Sequence, residues 1–244
     1  MKKILIIILF LFLALPVRAE VLDTDNDGLS DTDEINLYRT DPNNADTDKD
    51  GYSDGEEIKK DYSPHDPRPA KLKNSDYDHD KLSDALEIKF KTNLKNSDTD
   101  GDGHPDGEEI KNAFDPLSSE NKKLAKKIEI NIKEQKLSYF LNNIELDRFA
   151  VSSGKNNSTP KGEWKILNKR PKAWSPYGLW MPYWLGLGKH GEFGIHELPI
   201  WPNGYREGEN HLGKPVSHGC VRLGIGSAKI IYDWAEIGTP VFIY

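Results

Sequence analysis

The sequence predicts a mainly β domain standing behind a row of small acidic loop–helix repeats. Three observations predict it. Acidic residues recur in one register four times between Asp23 and Glu109. From Ile128 onward apolar residues alternate with polar ones, the period of a half-buried strand. Beyond that point only Ser227 to Glu236 carries helical spacing.

The 244 residues leave room for one ordinary domain and a smaller module. Residues 1–19 read as a secretory signal peptide. Lys2 and Lys3 open it, Ile4 to Leu15 is apolar, and Val17-Arg18-Ala19 supplies small residues at the expected cut. That apolar run is shorter than the ~20 residues a membrane span needs, and no second one follows. The mature protein is therefore expected to be exported, in the periplasm or cell-wall space, without a membrane partner once the signal is cleaved. Charge divides the rest. Residues 20–116 hold 28 acidic and 12 basic residues, whereas residues 117–244 hold 12 and 18. Opposite signs argue for two modules with different partners. Nucleic acid is not expected for an exported chain, and the oligomeric state is not legible.

Within residues 20–116 the four repeats place acids at relative positions 1, 3, 5, 9 and 12. They are Asp23, Asp25, Asp27, Asp31 and Glu34; Asp46, Asp48, Asp50, Asp54 and Glu57; Asp76, Asp78, Asp80, Asp84 and Glu87; and Asp98, Asp100, Asp102, Asp106 and Glu109. This is the ligand spacing of a calcium loop, in which alternate side chains of a tight turn point inward and the glutamate at 12 can bind with both oxygens. Position 6 is Gly28, Gly51 and Gly103, but Lys81 in the third loop, which is expected to be weakest. Short helices should follow each loop, and Asp41-Pro42, Asp66-Pro67 and Asp115-Pro116 should stop three of them. The pattern resembles EF-hand-like and thrombospondin type 3-like calcium repeats. The resemblance implies structural Ca²⁺, serving as a stiffened spacer or a wall-adhesion module. A disordered acidic stalk is the reading that composition alone would favour.

Residues 117–126 are lysine-rich and read as a linker to a module over 127–244. There Ile128, Ile130 and Ile132, then Leu137, Tyr139 and Leu141, then Ile144 to Val151 give a β-meander. Gly162 to Leu167 and Pro240 to Tyr244 read as further strands, with short pieces broken by glycine and proline between. The helix over Ser227 to Glu236 should turn Ile230, Ile231 and Trp234 to one face.

The one cysteine, Cys220, has no intrachain partner. In an exported protein this marks a reactive thiol, an intermolecular bridge or a buried inert one. Its neighbours favour the first: Ser217-His218-Gly219-Cys220-Val221-Arg222 sets imidazole and glycine beside the sulfur, and Gly194-Ile195-His196-Glu197 adds a second histidine upstream. A thiol of ordinary pKa needs such a base to become an effective nucleophile at neutral pH. Glycine lets a substrate carbonyl approach backbone N–H groups able to hold an oxyanion.

The combined Gly-Ile-His and Ser-His-Gly-Cys-Val-Arg motifs resemble the L,D-transpeptidase catalytic domain, a β-sandwich with a covering helix. Val151-Ser152-Ser153-Gly154, Thr159-Pro160-Lys161-Gly162 and Gly238-Thr239-Pro240-Val241 share the likeness. It implies that Cys220 attacks a peptidoglycan stem peptide, releasing D-alanine and leaving a thioester that an acceptor amine resolves into a cross-link. His196 matches the general base, and His218 and Gly219 match the signature beside the nucleophile. Arg222 stands where many members carry asparagine, and it either orders the site, faces an anionic stem or makes a structural ion pair. No cofactor is implied for catalysis. Aromatic residues from Trp174 to Tyr205 fall where the family places a lid. Two other readings stay open: an L,D-carboxypeptidase with water as acceptor, and an inactive calcium-dependent wall-binding or adhesion protein.

Overall fold

The computed structural model describes residues 22–244, so the expected signal peptide lies outside the described residues. Each acidic loop runs into a short helix: α1 (Asp31–Asp33, continued by a wider turn over Glu34–Tyr38), α2 (Asp54–Lys59), α3 (Asp84–Phe90) and α4 (Asp106–Lys111). Ser30 and Ser53 cap the first two by accepting from the backbone N–H of Asp33 and Glu56. Position 6 takes a left-handed φ in every loop: 99° at Gly28, 98° at Gly51, 95° at Gly103 and 78° at Lys81. Lys81 thus closes its loop as glycine does, donating its N–H to Asp76 at 3.1 Å with its side chain exposed.

The repeats associate in pairs. Asp27 of the first loop accepts from the N–H of Gly55 at the start of α2 (2.7 Å), and Asp80 of the third accepts from Gly107 in α4 (2.7 Å). A Cβ on either glycine would meet the carbonyl oxygen of that aspartate at 2.3 or 2.5 Å, so no other residue fits there. The pairs are joined through residues 60–75. His65 Nε2 lies 2.7 Å from the Tyr38 carbonyl, and Ser63 Oγ donates to Asp84 at 3.0 Å.

Residues 117–126, expected as a linker, are folded back. Asp115 N–H donates to the Lys122 carbonyl, Leu124 N–H to the Ala113 carbonyl, and Phe114 bridges Lys123. Leu124 is buried, and Lys126 already begins the first strand.

The second module is mainly β. Its strands are β1 (Lys126–Asn131), β2 (Lys136–Leu141), β3 (Ile144–Ser152), β4 (Gly162–Lys165), β5 (Asn168–Trp174), β6 (Trp180–Leu187), β7 (Phe193–Glu197), β8 (Val221–Leu223) and β9 (Pro240–Ile243). They form one sheet in the order β4-β9-β1-β2-β3-β8-β7-β6-β5, so the expected sandwich is a continuous sheet joined at β3–β8. It folds over its own core: Ile128, Ile130 and Leu137 from one half pack with Leu185, Ile195 and Val221 from the other. α5 (Ser227–Trp234) covers that core through Ala228 and Ile231, while Ile230, expected beside them, is 48% exposed.

The stretch read as short broken pieces holds two long strands, β5 and β6, with Pro171 and Pro182 inside them. Pro171 is tolerated because β5 is an edge strand, and Pro182 lies on β6 outside the Leu185–Leu187 stretch that pairs with β7. The pairing also skips Pro171 opposite Tyr183, which takes a left-handed φ of 53°.

The two modules share a second apolar cluster. Leu82, Phe90, Ile110 and Ala113 from the third and fourth repeats pack with Leu124, Leu141, Ile144, Leu146 and Trp234. Lys89 Nζ also donates to the Glu145 carbonyl at 3.2 Å.

Candidate active site

β7 and β8 run parallel and pair His196 with Arg222 and Ile195 with Val221, which sets Cys220, just before β8, against the base strand. Every residue of both strands is buried. Cys220 and His196 line one cavity of about 190 Å³, with His218, Gly219, Arg222 and Tyr177 also in its wall. The five residues that the motifs single out therefore converge on a single site. Cys220 is itself only partly buried, packed against Ala173, Met181 and Trp184.

The loop before the cysteine is built by hydrogen bonds that its sequence encodes. Ser217 Oγ donates to the Cys220 carbonyl at 2.5 Å and accepts from the Gly219 N–H at 3.1 Å. The Gly219 carbonyl accepts from Thr159 Oγ1 at 2.9 Å, and that hydroxyl accepts from the Gly154 N–H at 2.7 Å. The Gly219 N–H is thus engaged by Ser217 and is not itself free as an oxyanion donor. Gly194 serves a different need. A Cβ there would fall 2.3 Å from the Leu185 carbonyl and 3.0 Å from the Trp184 ring, and that ring stacks 5.9 Å from the imidazole of His196.

His196 is 2% exposed. Its Nδ1 lies 2.6 Å from the Glu197 carbonyl oxygen, which can only accept, so Nδ1 carries the proton and Nε2 is the free basic nitrogen. Burial, aided by the Arg222 charge and opposed by this hydrogen bond, lowers its pKa to about 4. Burial raises the Cys220 thiol, while a hydrogen bond from the Gly194 backbone and the Arg222 charge pull the other way. At neutral pH the resting pair is a thiol beside a neutral imidazole.

The contacts around these residues were not legible in the sequence, which placed Tyr177 only within an aromatic stretch and offered an ion pair for Arg222 without naming its partner. Tyr177 stacks on His218 with ring centroids 4.1 Å apart. Arg222 Nη1 donates to Glu207 at 2.6 Å, Arg206 pairs with Glu197, and His211 lies 3.1 Å from Glu207. Arg222 Nε is buried without a partner. Only the aromatic count had hinted at Tyr177, and nothing local marks Arg206 or Glu207.

Residues 125–243 match the L,D-transpeptidase catalytic domain. The C-terminal module belongs to that family. Residues 23–45, 46–60 and 98–112 match the bacterial TSP3 repeat, and the third loop lies outside these matches. The chain is 32% identical over 124 residues to the candidate L,D-transpeptidase YciB of Bacillus subtilis, covering 48% of this chain and 64% of that protein. It is 37% identical over 65 residues to the candidate L,D-transpeptidase YkuD of Bacillus licheniformis, covering 27% of this chain and 32% of that one. The chain thus spans less than two thirds of the curated relatives it matches. A solved L,D-transpeptidase from Mycobacterium smegmatis is 22% identical with a TM-score of 0.43, over 51% of this chain and 60% of that one.

The acidic loops form a second candidate site set apart from the L,D-transpeptidase-family cavity. In each loop the aspartates at positions 1, 3 and 5 bring carboxylate oxygens within 4.8 Å of one another. Buried carboxylate oxygens without a partner point to a missing positive charge: one each on Asp25, Asp48, Asp78 and Asp100, one on Glu34, Glu57 and Glu109, and both on Glu87. Burial, reinforced by neighbouring carboxylates, raises Glu34 to about 7, Glu57 to about 8, Glu87 to about 9 and Glu109 to about 7. This donor set of hard, uncompensated oxygens fits a calcium ion.

Position 9 corrects the expected ligand list. Asp31, Asp54 and Asp106 accept from both the N–H and the hydroxyl of Thr24, Thr47 and Thr99, at 2.5 to 2.9 Å. Asp84 accepts from the Tyr77 N–H and from Ser63 Oγ, both at 3.0 Å. With both oxygens engaged, these four close the loops instead of facing the clusters.

Proposed function

We propose that the protein is an exported L,D-transpeptidase that cross-links peptidoglycan stem peptides through a thioester on Cys220. The observation that carries this reading is that the lone thiol lines one cavity with a buried imidazole whose Nδ1 is committed to a carbonyl. His196 Nε2 takes the thiol proton as Sγ attacks the carbonyl carbon of the third stem residue. The C–S bond forms, the C–N bond to the terminal D-alanine breaks, and the departing amine recovers the proton from the imidazolium. An acceptor amine then attacks the thioester, His196 takes its proton, and the thiol is restored. The partner is a peptidoglycan stem. Calcium has no part in these steps. In this reading it would be held by positions 1, 3, 5 and 12 of the loops, where it would neutralise carboxylates that otherwise repel.

Incubation with imipenem and intact-mass measurement tests the reading. One covalent adduct is expected on the wild type and none on Cys220→Ala; an unmodified wild type would overturn it. Product analysis with a tetrapeptide stem, with and without an acceptor stem, then separates cross-linking from simple release of D-alanine.

A further inference from the structure

The strands that carry the reacting pair are too short to fix their own positions. β8 has three residues, pairs with β7 at three positions and with β3 at two. A misplacement of about 1 Å between reacting groups can cost about a hundred-fold in rate, so something outside the ladder has to hold them.

Two consecutive residues of opposite charge do so. Arg206 reaches Glu197, whose side chain is 4% exposed and whose carbonyl holds His196 Nδ1. Glu207 accepts from Arg222 at 2.6 Å, with side-chain exposures of 15% and 7%. Arg222 lies two residues beyond Cys220 and opposite His196 in the β7–β8 register. The segment that presents them is itself tied down: Arg206 bridges Ile200, Ile200 bridges Trp180 on β6, and the Glu207 N–H donates to the Pro199 carbonyl at 3.0 Å. A one-residue slip would set like against like at one of the two strands, Arg206 against Arg222 in one direction or Glu207 against Glu197 in the other. Buried ion pairs of this kind fix register even where they add little net stability.

We propose that Arg206-Glu207 is a two-pronged positioning clamp, with Arg206 holding the base strand through Glu197 and Glu207 holding the nucleophile strand through Arg222. Neither residue is placed in the cavity wall, so both act through others. The inference rests on the cysteine–histidine chemistry proposed above, and its test includes a measurement independent of that chemistry.

The groups facing Cys220 that can carry charge are His196 on β7, Arg222 on β8, His218 in the loop before it and Glu192 ahead of β7. Arg206, Glu207 and His211 lie behind them. Substituting one prong therefore has a sign. Glu207→Gln leaves Arg222 without its counter-charge and favours the thiolate. Arg206→Gln leaves the Glu197 carboxylate uncompensated and disfavours it.

The experiment measures Cys220 alkylation by iodoacetamide against pH, and acylation by imipenem, on folded full-length chains checked by near-UV circular dichroism. The alkylation midpoint should fall in Glu207→Gln and rise in Arg206→Gln. Both variants should acylate at least about ten-fold more slowly, and the double variant should lose little more than the worse single one. Should Arg206→Gln not fold, Arg206→Lys keeps the charge, loses the planar fork, and is expected to slow acylation without raising the midpoint. Acylation within about two-fold of wild type in every folded variant would overturn the clamp, whether or not the midpoints move. A wild type that never forms an imipenem adduct would instead overturn the proposed function, and with it the clamp that rests on that chemistry.

Discussion

The two modules bury opposite kinds of side chain. In the β module the fully enclosed residues include Ile128, Ile130, Leu137, Leu185 and Ile231, packed as hydrocarbon. In the repeats, Glu34, Asp54, Asp84, Glu87 and Asp106 are equally enclosed, and Leu94 is among the few apolar residues to match them. One module excludes water from carbon; the other draws carboxylates out of water and leaves several of their oxygens without a donor. The first arrangement is stable by itself. The second carries a desolvation cost that a bound cation would offset. Burial therefore does not mean the same thing in the two halves, and the cluster that joins them inherits both dependences.

Chelation should separate the halves most sharply. With calcium at about a hundred times its dissociation constant, each filled loop adds about 3 kcal/mol. EDTA should therefore abolish the helical circular dichroism of residues 23–115 and expose that segment to protease, while strand signal persists. A far-UV spectrum indifferent to EDTA would show that the carboxylates are satisfied without metal. Phe90→Ala, in the joining cluster, should cost about 3–5 kcal/mol in calcium and nearly nothing in EDTA, if the cluster forms only on loaded repeats. Equal losses under both conditions, read from denaturant midpoints, would mean that docking is independent of the metal.

His196 offers a break confined to the β module. Its pKa falls from 6.5 unfolded to about 4 folded, so below pH 6.5 the unfolded chain binds a proton that the folded chain refuses. The stabilisation is complete above that pH and is lost as pH falls toward about 4, worth about 3 kcal/mol in all. His196→Gln should flatten this part of the stability profile, measured in EDTA so that the loops do not contribute. Smallest should be Thr47→Val, which removes one hydroxyl from Asp54 and costs about 1 kcal/mol, visible as a lower melting temperature of the repeats alone.

The sequence revealed most where function depends on residues close together in the chain. The acids at 1, 3 and 5 and the Cys-His motifs are local, and the structure brings each set together. Position 9 misled because spacing reports which residue is acidic, not which way it turns; the threonine at position 2 that captures it is equally local and could have been noticed. The linker reading failed on Leu124, one apolar residue among lysines, whose burial depends on a partner module that no window shows. β5 and β6 were obscured by Pro171, on an edge strand, and Pro182, outside the stretch of β6 that pairs with β7, positions that only the topology reveals. The contacts of Arg206, Glu207 and Tyr177 were out of reach because their partners are set by tertiary folding.

The contacts at Gly55 and Gly107 bear on how such an array grows. Each welds a loop to the helix after next, with no space for a side chain. Repeats 1 and 3 carry Thr32 and Ala85 at the equivalent place, so they cannot receive a neighbour in the same way. Odd and even copies are not interchangeable. Gene duplication or deletion within this arm should be tolerated in twos, and splicing out one copy should leave its former companion without a mate.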